Sequence, residues 1–333
     1  MKRATRLFQV IVIVAFLPLM AHAQFEYEHG FLWTQAGGME DLGVIKGWQN
    51  SFALAISDSG QVVGTDSVNA DSTTFRWTRS AGMQHLPGSS TTYSVAVAVN
   101  NSGEVAGLYY PTPGNVHAFV WTQAGGIQDL GTLGGSTSEA TGINRSGQVV
   151  GYSATASGVY HAFLWTQSAG MQDLGAYLGA TSYSQAWAIN DDGIVAGRST
   201  GTNGDDMIAI WRAGKIQILG PGVAYGINNR GQVTGARYTR YTGQQAFIWN
   251  PGGAGMQLLP MLPGATASFG QGINNSGEVA GWNFPATGDN AYQAFIWTPA
   301  GGTLDIGNLG GLYGAQAFAI NDSGEVVGSS TIQ

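Results

Sequence analysis

His117-Ala118-Phe119-Val120-Trp121-Thr122, then Gly126-Ile127-Gln128-Asp129-Leu130-Gly131, then Ala140-Thr141-Gly142-Ile143-Asn144-Arg145-Ser146-Gly147-Gln148-Val149-Val150-Gly151: this run is the clearest copy of a unit written seven times along the 333-residue chain. The other copies centre on Trp33, Trp77, Trp165, Trp211, Trp249 and Trp297, at intervals of 44, 44, 44, 46, 38 and 48 residues. Every copy is made of short strand-like pieces. A period of this size built that way marks a propeller blade.

Each unit holds four runs with strand character. The innermost is the Ser-x-Ala-x-Ala-Ile-Asn run, as in Ser184 to Asn190, whose small residues recur with period two at Ala53 and Ala55, Ala96 and Ala98, Ala186 and Ala188, and Ala317 and Ala319. Small side chains suit strands that crowd around an axis. A tight turn follows, seen at Asp58-Ser59-Gly60, Asn101-Ser102-Gly103, Asn275-Ser276-Gly277 and Asp322-Ser323-Gly324. Asn, Asp and Ser open such a turn and Gly takes its left-handed position. The turn also accounts for the Asn-x-Ser glycosylation pattern that four copies match, Asn274 among them.

The second run is Gln-Val-Val-Gly (Gln61 to Gly64, Gln148 to Gly151) and the third is Ala-Phe-x-Trp. Phe and Trp lie two apart and share a face, so the seven Trp are expected to pack neighbouring blades together. The fourth run, Met171 to Gly175 in one copy, is the outer edge. The chain opens on a third and a fourth run (Phe31 to Trp33, Met39 to Gly43) and ends on a first and a second (Ala315 to Asn321, Glu325 to Ser329). Those halves make one blade. The sequence therefore predicts an all-β, seven-bladed propeller of four-stranded blades, one of them shared between the N- and C-termini so that no edge is left bare.

The His-Ala-Phe strand, Asp129-Leu130-Gly131-Thr132-Leu133-Gly134-Gly135 and the Ile143 to Gly151 hairpin resemble the HAF-repeat proteins, a group of extracellular repeat proteins of bacteria. The resemblance covers essentially all of the chain after its leader and is most specific at His117 to Gly151 and His161 to Gly197. The pattern drifts elsewhere: Gln245 and Gln293 stand in the His slot, and Met207-Ile208-Ala209 replaces His-Ala-Phe. The resemblance implies a fold and export; it implies no activity or ligand.

Lys2, Arg3 and Arg6 precede an apolar run from Leu7 to Met20, and Ala21-His22-Ala23 forms a small-x-small site. Residues 1–23 read as a signal peptide and 24–333 as a single propeller domain, secreted to the periplasm or beyond, with no stable membrane span once the signal is removed. The chain has no Cys, which excludes thiol chemistry, and it is long enough to fold without disulfides. Without the three leader cations, 10 basic residues face 20 acidic ones. Such a surface repels phosphate backbones, so nucleic acid is not an expected partner.

The titratable residues mostly dissolve into repeat positions. His29, His117 and His161 share one slot in separate blades and are expected to be structural, as are Asp41, Asp129, Asp173 and Asp305 in the outer run, where His85 replaces the Asp. Glu104, Glu278 and Glu325 exchange with Gln at the start of the second run, which a general acid would not do. Asp191-Asp192 and Asp205-Asp206 lack the ligand density of a calcium loop. No cofactor, metal site or catalytic residue is expected, and the sequence leans away from an enzyme.

Residues that break the repeat are the ones free for function. The connections Thr65 to Thr73, Leu108 to Val116, Ser153 to Tyr160, Arg198 to Asp206, Ala236 to Gly243 and Trp282 to Ala291, with links such as Val44 to Asn50, fall together on one face as variable loops. On them, Trp48, Tyr109, Tyr110, Arg237, Tyr238, Arg240, Tyr241 and Trp282 form the expected binding set. Tyr and Trp give rigid contact area at low entropic cost. Arg237 and Arg240 are the local positive charge for an acidic group. The expected partner is a glycan or an extracellular protein. The alternatives are a structural protein without a soluble ligand, or a hydrolase or lyase with its site at the channel mouth.

Overall fold

The four runs of each unit pair as an antiparallel meander in a computed structural model, which describes residues 27–332 apart from 69–70, 88–92, 113, 240–242, 254 and 287–290. The leader predicted at 1–23 lies outside the described residues. β1 (Glu28–Thr34) and β2 (Gly38–Gly43) open the chain. β3 (Asn50–Ile56), β4 (Val62–Val68), β5 (Asp71–Thr78) and β6 (Gly82–His85) form the first complete blade. β7 (Ser94–Val99), β8 (Val105–Thr112), β9 (Asn115–Thr122) and β10 (Gly126–Asp129) form the second, and β11 (Gly134–Ile143), β12 (Val149–Thr155), β13 (Tyr160–Thr166) and β14 (Gly170–Asp173) the third. The fourth comprises β15 (Ser184–Ile189), β16 (Val195–Thr200), β17 (Asp206–Arg212) and the first half of β18 (Lys215–Ile227). The second half of β18 begins the fifth, with β19 (Val233–Thr239), β20 (Gly243–Asn250) and β21 (Gly255–Leu258). β22 (Ala265–Ile273), β23 (Val279–Pro285), β24 (Gln293–Thr298) and β25 (Gly302–Asp305) make the sixth. β26 (Gly310–Ile320) and β27 (Val326–Ile332) then return to the start of the chain, giving the sheet order β2-β1-β27-β26. One blade is thus shared by the two termini. The first strands pack on one another in sequence, β3, β7, β11, β15, β18, β22 and β26, and β26 meets β3 again.

The repeat residues each have a packing reason. In Val-Val-Gly, a Cβ on Gly151 would lie 1.9 Å from the Glu139 carbonyl oxygen and 2.9 Å from the Phe163 ring, so only glycine lets the first strand and the Phe approach. Trp33, Trp77, Trp121, Trp165, Trp211 and Trp297 are buried, and Trp165 packs with Ala98, Ala106 and Val120 of the preceding blade. The Ser of Ser-x-Ala is a strut between blades: Ser138 Oγ accepts from the Ala118 N–H at 2.9 Å and donates to the Gly131 carbonyl at 2.6 Å, and Ser184 does the same to Ala162 and Gly175. The His slot is explained too. His29, His117 and His161 each hold the Asp of their own outer strand, Asp41, Asp129 and Asp173, at 2.8–3.0 Å, and each Asp also accepts the N–H of the following Gly.

The Asn that ends the first strand does more than open a turn. Asn144 Oδ1 accepts the N–H groups of Ser146 and Gln148, while its Nδ2 donates to Gln148 Oε1 at 2.7 Å and to the Asn190 carbonyl of the next blade at 3.1 Å. The same inter-blade bond runs from Asn100 to Asn144, Asn190 to Asn228, Asn228 to Asn274, Asn274 to Asn321 and Asn321 to Ser57. These amides are buried and fully used, so Asn274 is not open to glycosylation. The Gln or Glu four residues on accepts from the same amide, and either side chain supplies that oxygen. Their exchange is a matter of shared acceptor chemistry.

One expectation is corrected. The connections read as variable loops are mostly extensions of the second and third strands. Asp66 pairs with Thr73, Ser67 with Ser72 and Val68 with Asp71, and β8, β19 and β23 run on through Thr112, Thr239 and Pro285. Tyr109, Tyr110, Arg237, Tyr238 and Trp282 are accordingly strand residues. Backbone pairing continues past the hydrophobic core because a hairpin satisfies its own N–H and C=O groups even where its side chains are polar.

Asp66 gives a pH signature. It is fully buried, Oδ2 accepts only the Ile45 N–H at 3.2 Å, and Oδ1 has no partner. Burial pushes its carboxyl up to about 7 against that hydrogen bond and the nearby His29. Burial likewise pushes Glu28 up to about 7. The native state thus binds these protons more tightly than the unfolded chain. The cost of ionising them is absent below about pH 4, grows as pH rises, and is complete above pH 7, on the order of 4 kcal/mol for Asp66. Asp66→Asn is expected to raise the Tm above pH 7 and leave it unchanged near pH 4. Melting curves across that range check this, and equal shifts at both ends would refute it.

Candidate functional site

Two ends of the axial channel differ in chemistry. The end carrying the Asn-x-Ser-Gly turns holds a cavity of about 230 Å³, lined by Ile-Asn and the residue after it from five of the repeats, by Val99, Asn100 and Asn101 from a sixth and by Ile56, Ser57 and Asp58 from the seventh. A second run of hydrogen bonds follows its rim. The backbone N–H of each rim residue donates to the side-chain oxygen of the next: Asp58 to Asn101, Arg145 to Asp191, Asp191 to Asn229, Asn229 to Asn275, Asn275 to Asp322 and Asp322 to Asp58. The ring is interrupted between Asn101 and Arg145, since arginine offers no acceptor. The polar groups of this end are largely spent on one another. They act as a seam.

The opposite end carries the extended hairpins and is where large side chains break the small-residue pattern. Strand register pairs Glu139 with Tyr152, Gln185 with Arg198 and Phe269 with Trp282, all in one repeat slot. Tyr152 donates its hydroxyl hydrogen bond to Glu139 Oε2. Tyr152 meets Tyr160 at 5.8 Å between ring centroids and 69°, and Trp187 at 6.2 Å and 55°; Trp187 meets Tyr225 at 5.8 Å and 72°; Tyr160 meets Tyr183 at 6.3 Å and 67°. Successive rings turn against one another, so the set curves across the third, fourth and fifth blades. Tyr160, Tyr183, Trp187, Tyr225 and Glu139 are each partly exposed. Arg198, buried behind them, donates to Gln185 Oε1, Asp206 Oδ2 and the Tyr183 hydroxyl and lies 5.1 Å from the Tyr183 ring centroid. Tyr238 also donates to Asp206. Burial pushes the Glu139 carboxyl up, the Tyr152 hydrogen bond only partly opposing it, and burial raises the surrounding tyrosines as well.

The predicted binding set is scattered over this end rather than gathered. Trp48 is half-buried in the link before β3, edge-on to His85 at 6.3 Å. Tyr109 turns sideways to donate to Asp129 and is pushed up to about 12 by burial and that bond, so it serves the His117–Asp129 pair. Tyr110 is 37% exposed and edge-on to Tyr93 at 4.9 Å. Tyr238 joins the Arg198–Asp206 group, and Arg237 is half-buried beside it on β19. Trp282 stacks on Phe269 at 4.1 Å and meets Tyr292 edge-on at 5.3 Å. Arg240 and Tyr241 lie outside the described residues. The sequence reading missed Tyr152, Trp187, Tyr183, Tyr225 and Arg198, although their size in slots filled elsewhere by Ala236, Val97 or Ser329 was a usable signal.

Among the described residues no three or more His, Asp or Glu side chains gather as a metal site, and no helix is long and apolar enough to cross a membrane. The two acidic pairs considered for calcium are engaged otherwise: Asp191 in the rim ring and Asp206 with Arg198.

No protein-family model matches the chain, and no curated protein does. Solved structures do. The propeller domain of the Trilobed protease from Pyrococcus furiosus superposes with a TM-score of 0.52 at 12% identity, over 79% of this chain and 84% of that one. TolB from Acinetobacter baumannii gives 0.51 at 12%, over 70% and 63%, and a prolyl endopeptidase gives 0.55 at 14%, over 79% and 43%. This chain therefore spans under two thirds of the TolB and less than half of the endopeptidase. At such identities the likeness is one of fold. The protein is a β-propeller.

Proposed function

We propose that this is an exported propeller of the HAF-repeat kind that acts as a binding module, taking a carbohydrate or another extracellular polymer at its extended-hairpin end. The observation that carries the reading is the curved set of partly exposed Tyr and Trp rings at that end, continued across the sixth blade by Trp282 and Tyr292. Partly exposed rings that also carry a hydroxyl or an indole N–H suit sugars, which present C–H faces and hydroxyls together. An enzyme would need a second ionisable group free to work with Glu139, and Arg198 and Asp206 hold each other.

A binding screen of the protein from Gln24 onward against glycans and polysaccharides tests this. Specific binding is expected, with an affinity loss of about tenfold or more when Tyr110 and Trp282 are both replaced by Ala and the Tm is held, by analogy with aromatic anchors at other interfaces. Absence of binding to every polymer, or binding untouched by the double variant, would refute the assignment to this end.

A further inference from the structure

Glu139 differs from its repeat equivalents in charge. The same slot holds Phe52, Val95, Gln185, Val223, Phe269 and Gln316. Gln185 shows that an amide fits there and can join a polar network, since it accepts from Arg198. A carboxyl in a half-dry setting is a costlier choice than an amide, and nothing in the described structure compensates it with a cation: its hydrogen bond comes from the neutral Tyr152 hydroxyl. Arg198, the cation of the neighbouring blade, is neutralised by Asp206 at 2.9 Å. The charge on Glu139 is thus left over, in a chain that is acidic overall.

Its surroundings are aromatic. Trp187 is tilted against Tyr152 and meets Tyr225 edge to face, a relation in which neighbouring rings can present faces to a common centre. The indole N–H of Trp187 is buried and has no acceptor, so it is left for a ligand oxygen or a water. Resting on the binding-module reading above, we propose that this end of the channel selects ligands carrying an organic ammonium group, with the cation against Glu139 and its carbon shell against the partly exposed rings of Trp187 and Tyr225. A free amino sugar and a quaternary ammonium both present that chemistry. A cation beside Glu139 favours its ionised form, opposing the burial that raises the carboxyl. The groups facing Glu139 are Tyr152 on β12, Tyr110 on β8 and Tyr183 before β15, all raised by burial and hence neutral, with the Arg198–Asp206 pair behind Tyr183.

The test is calorimetric titration of the protein from Gln24 onward with tetramethylammonium and choline, against the neutral isostere 3,3-dimethylbutanol, and with glucosamine oligomers against their N-acetylated forms. The ammonium probes are expected to bind at least about tenfold more tightly than the neutral one, and more tightly at about pH 8 than at about pH 5. Glu139→Gln, which keeps an acceptor for Tyr152, is expected to abolish that preference without lowering the Tm. Trp187→Leu is expected to weaken both probes. A choline-only response names a quaternary ammonium ligand, and a response to glucosamine oligomers names an amino sugar polymer; either supports the proposal. Equal affinity for charged and neutral probes, or an unchanged preference in Glu139→Gln, overturns it. Tight binding of the N-acetylated oligomers alone overturns the ammonium preference and leaves the binding module standing. Silence from every probe overturns the ammonium proposal, and the polysaccharide screen above then decides the binding module separately.

Discussion

A chain shortened to begin at Val44 will lose its cooperative melting transition, rather than forming a six-bladed ring. The missing β1 and β2 carry Phe31, Leu32, Trp33 and Leu42, all buried. Burying each such side chain is worth about 1.5–3 kcal/mol, so the four together approach the whole net stability of about 5–15 kcal/mol typical of a folded domain. Their loss is felt on both sides of the shared blade. Phe31 and Trp33 pack with Ile296, Ile306 and Ala317, whereas Leu32 and Leu42 pack with Ile56, Val62 and Phe75 of the first complete blade. β27 would also be left with an open edge where β1 now pairs from Glu28 to Trp33. Circular dichroism against temperature decides the matter. A shortened chain that melts as sharply and as high as the full one would mean that the shared blade does not close the ring.

Asn144→Ala is expected to cost about 2–4 kcal/mol, since it removes four hydrogen bonds from a buried site and leaves the Asn190 carbonyl without the amide it accepts from. For a chain of this length that is a fall in Tm of roughly 3 to 6 °C. Asn144→Asp separates the two jobs of the residue. It keeps the oxygen that accepts from Ser146 and Gln148 within the turn and loses the donor that reaches the next blade. If the turn alone matters, Asp will be nearly silent. If the inter-blade bond matters, Asp will cost at least half as much as Ala, and that is the expected result, measured by the midpoint of denaturant unfolding.

Why one half of Asn144 was legible in the sequence and the other was not is instructive. Asn-x-Ser-Gly has a local signature, because the side chain and the backbone it serves lie within a few residues. The bond to Asn190 spans a whole repeat, and nothing in the linear pattern says that one amide reaches the next copy. The Ser of Ser-x-Ala was hidden for the same reason. The blade architecture was readable because Phe119 and Trp121 lie two apart on one strand and because the ends of the chain carry complementary halves of a unit. The hairpin extensions were not, since Tyr109-Tyr110 and Arg237-Tyr238 break the apolar alternation that marks a buried strand. The candidate site was readable only in part. Aromatics such as Tyr110 and Trp282 stood out by composition, whereas Glu139 and Tyr152 become a pair only through the register that sets them opposite each other.

The bond from the Ile332 N–H to the Tyr27 carbonyl, at 3.0 Å, lets the two ends of the described chain touch. The first strands close on one another, and the Asn amides join neighbouring blades all the way from Asn100 to Ser57, where a serine interrupts them. A chain opened instead at one of the hairpin turns, with Tyr27 and Ile332 bridged, would keep every blade's strand pairing and change only which blade is shared.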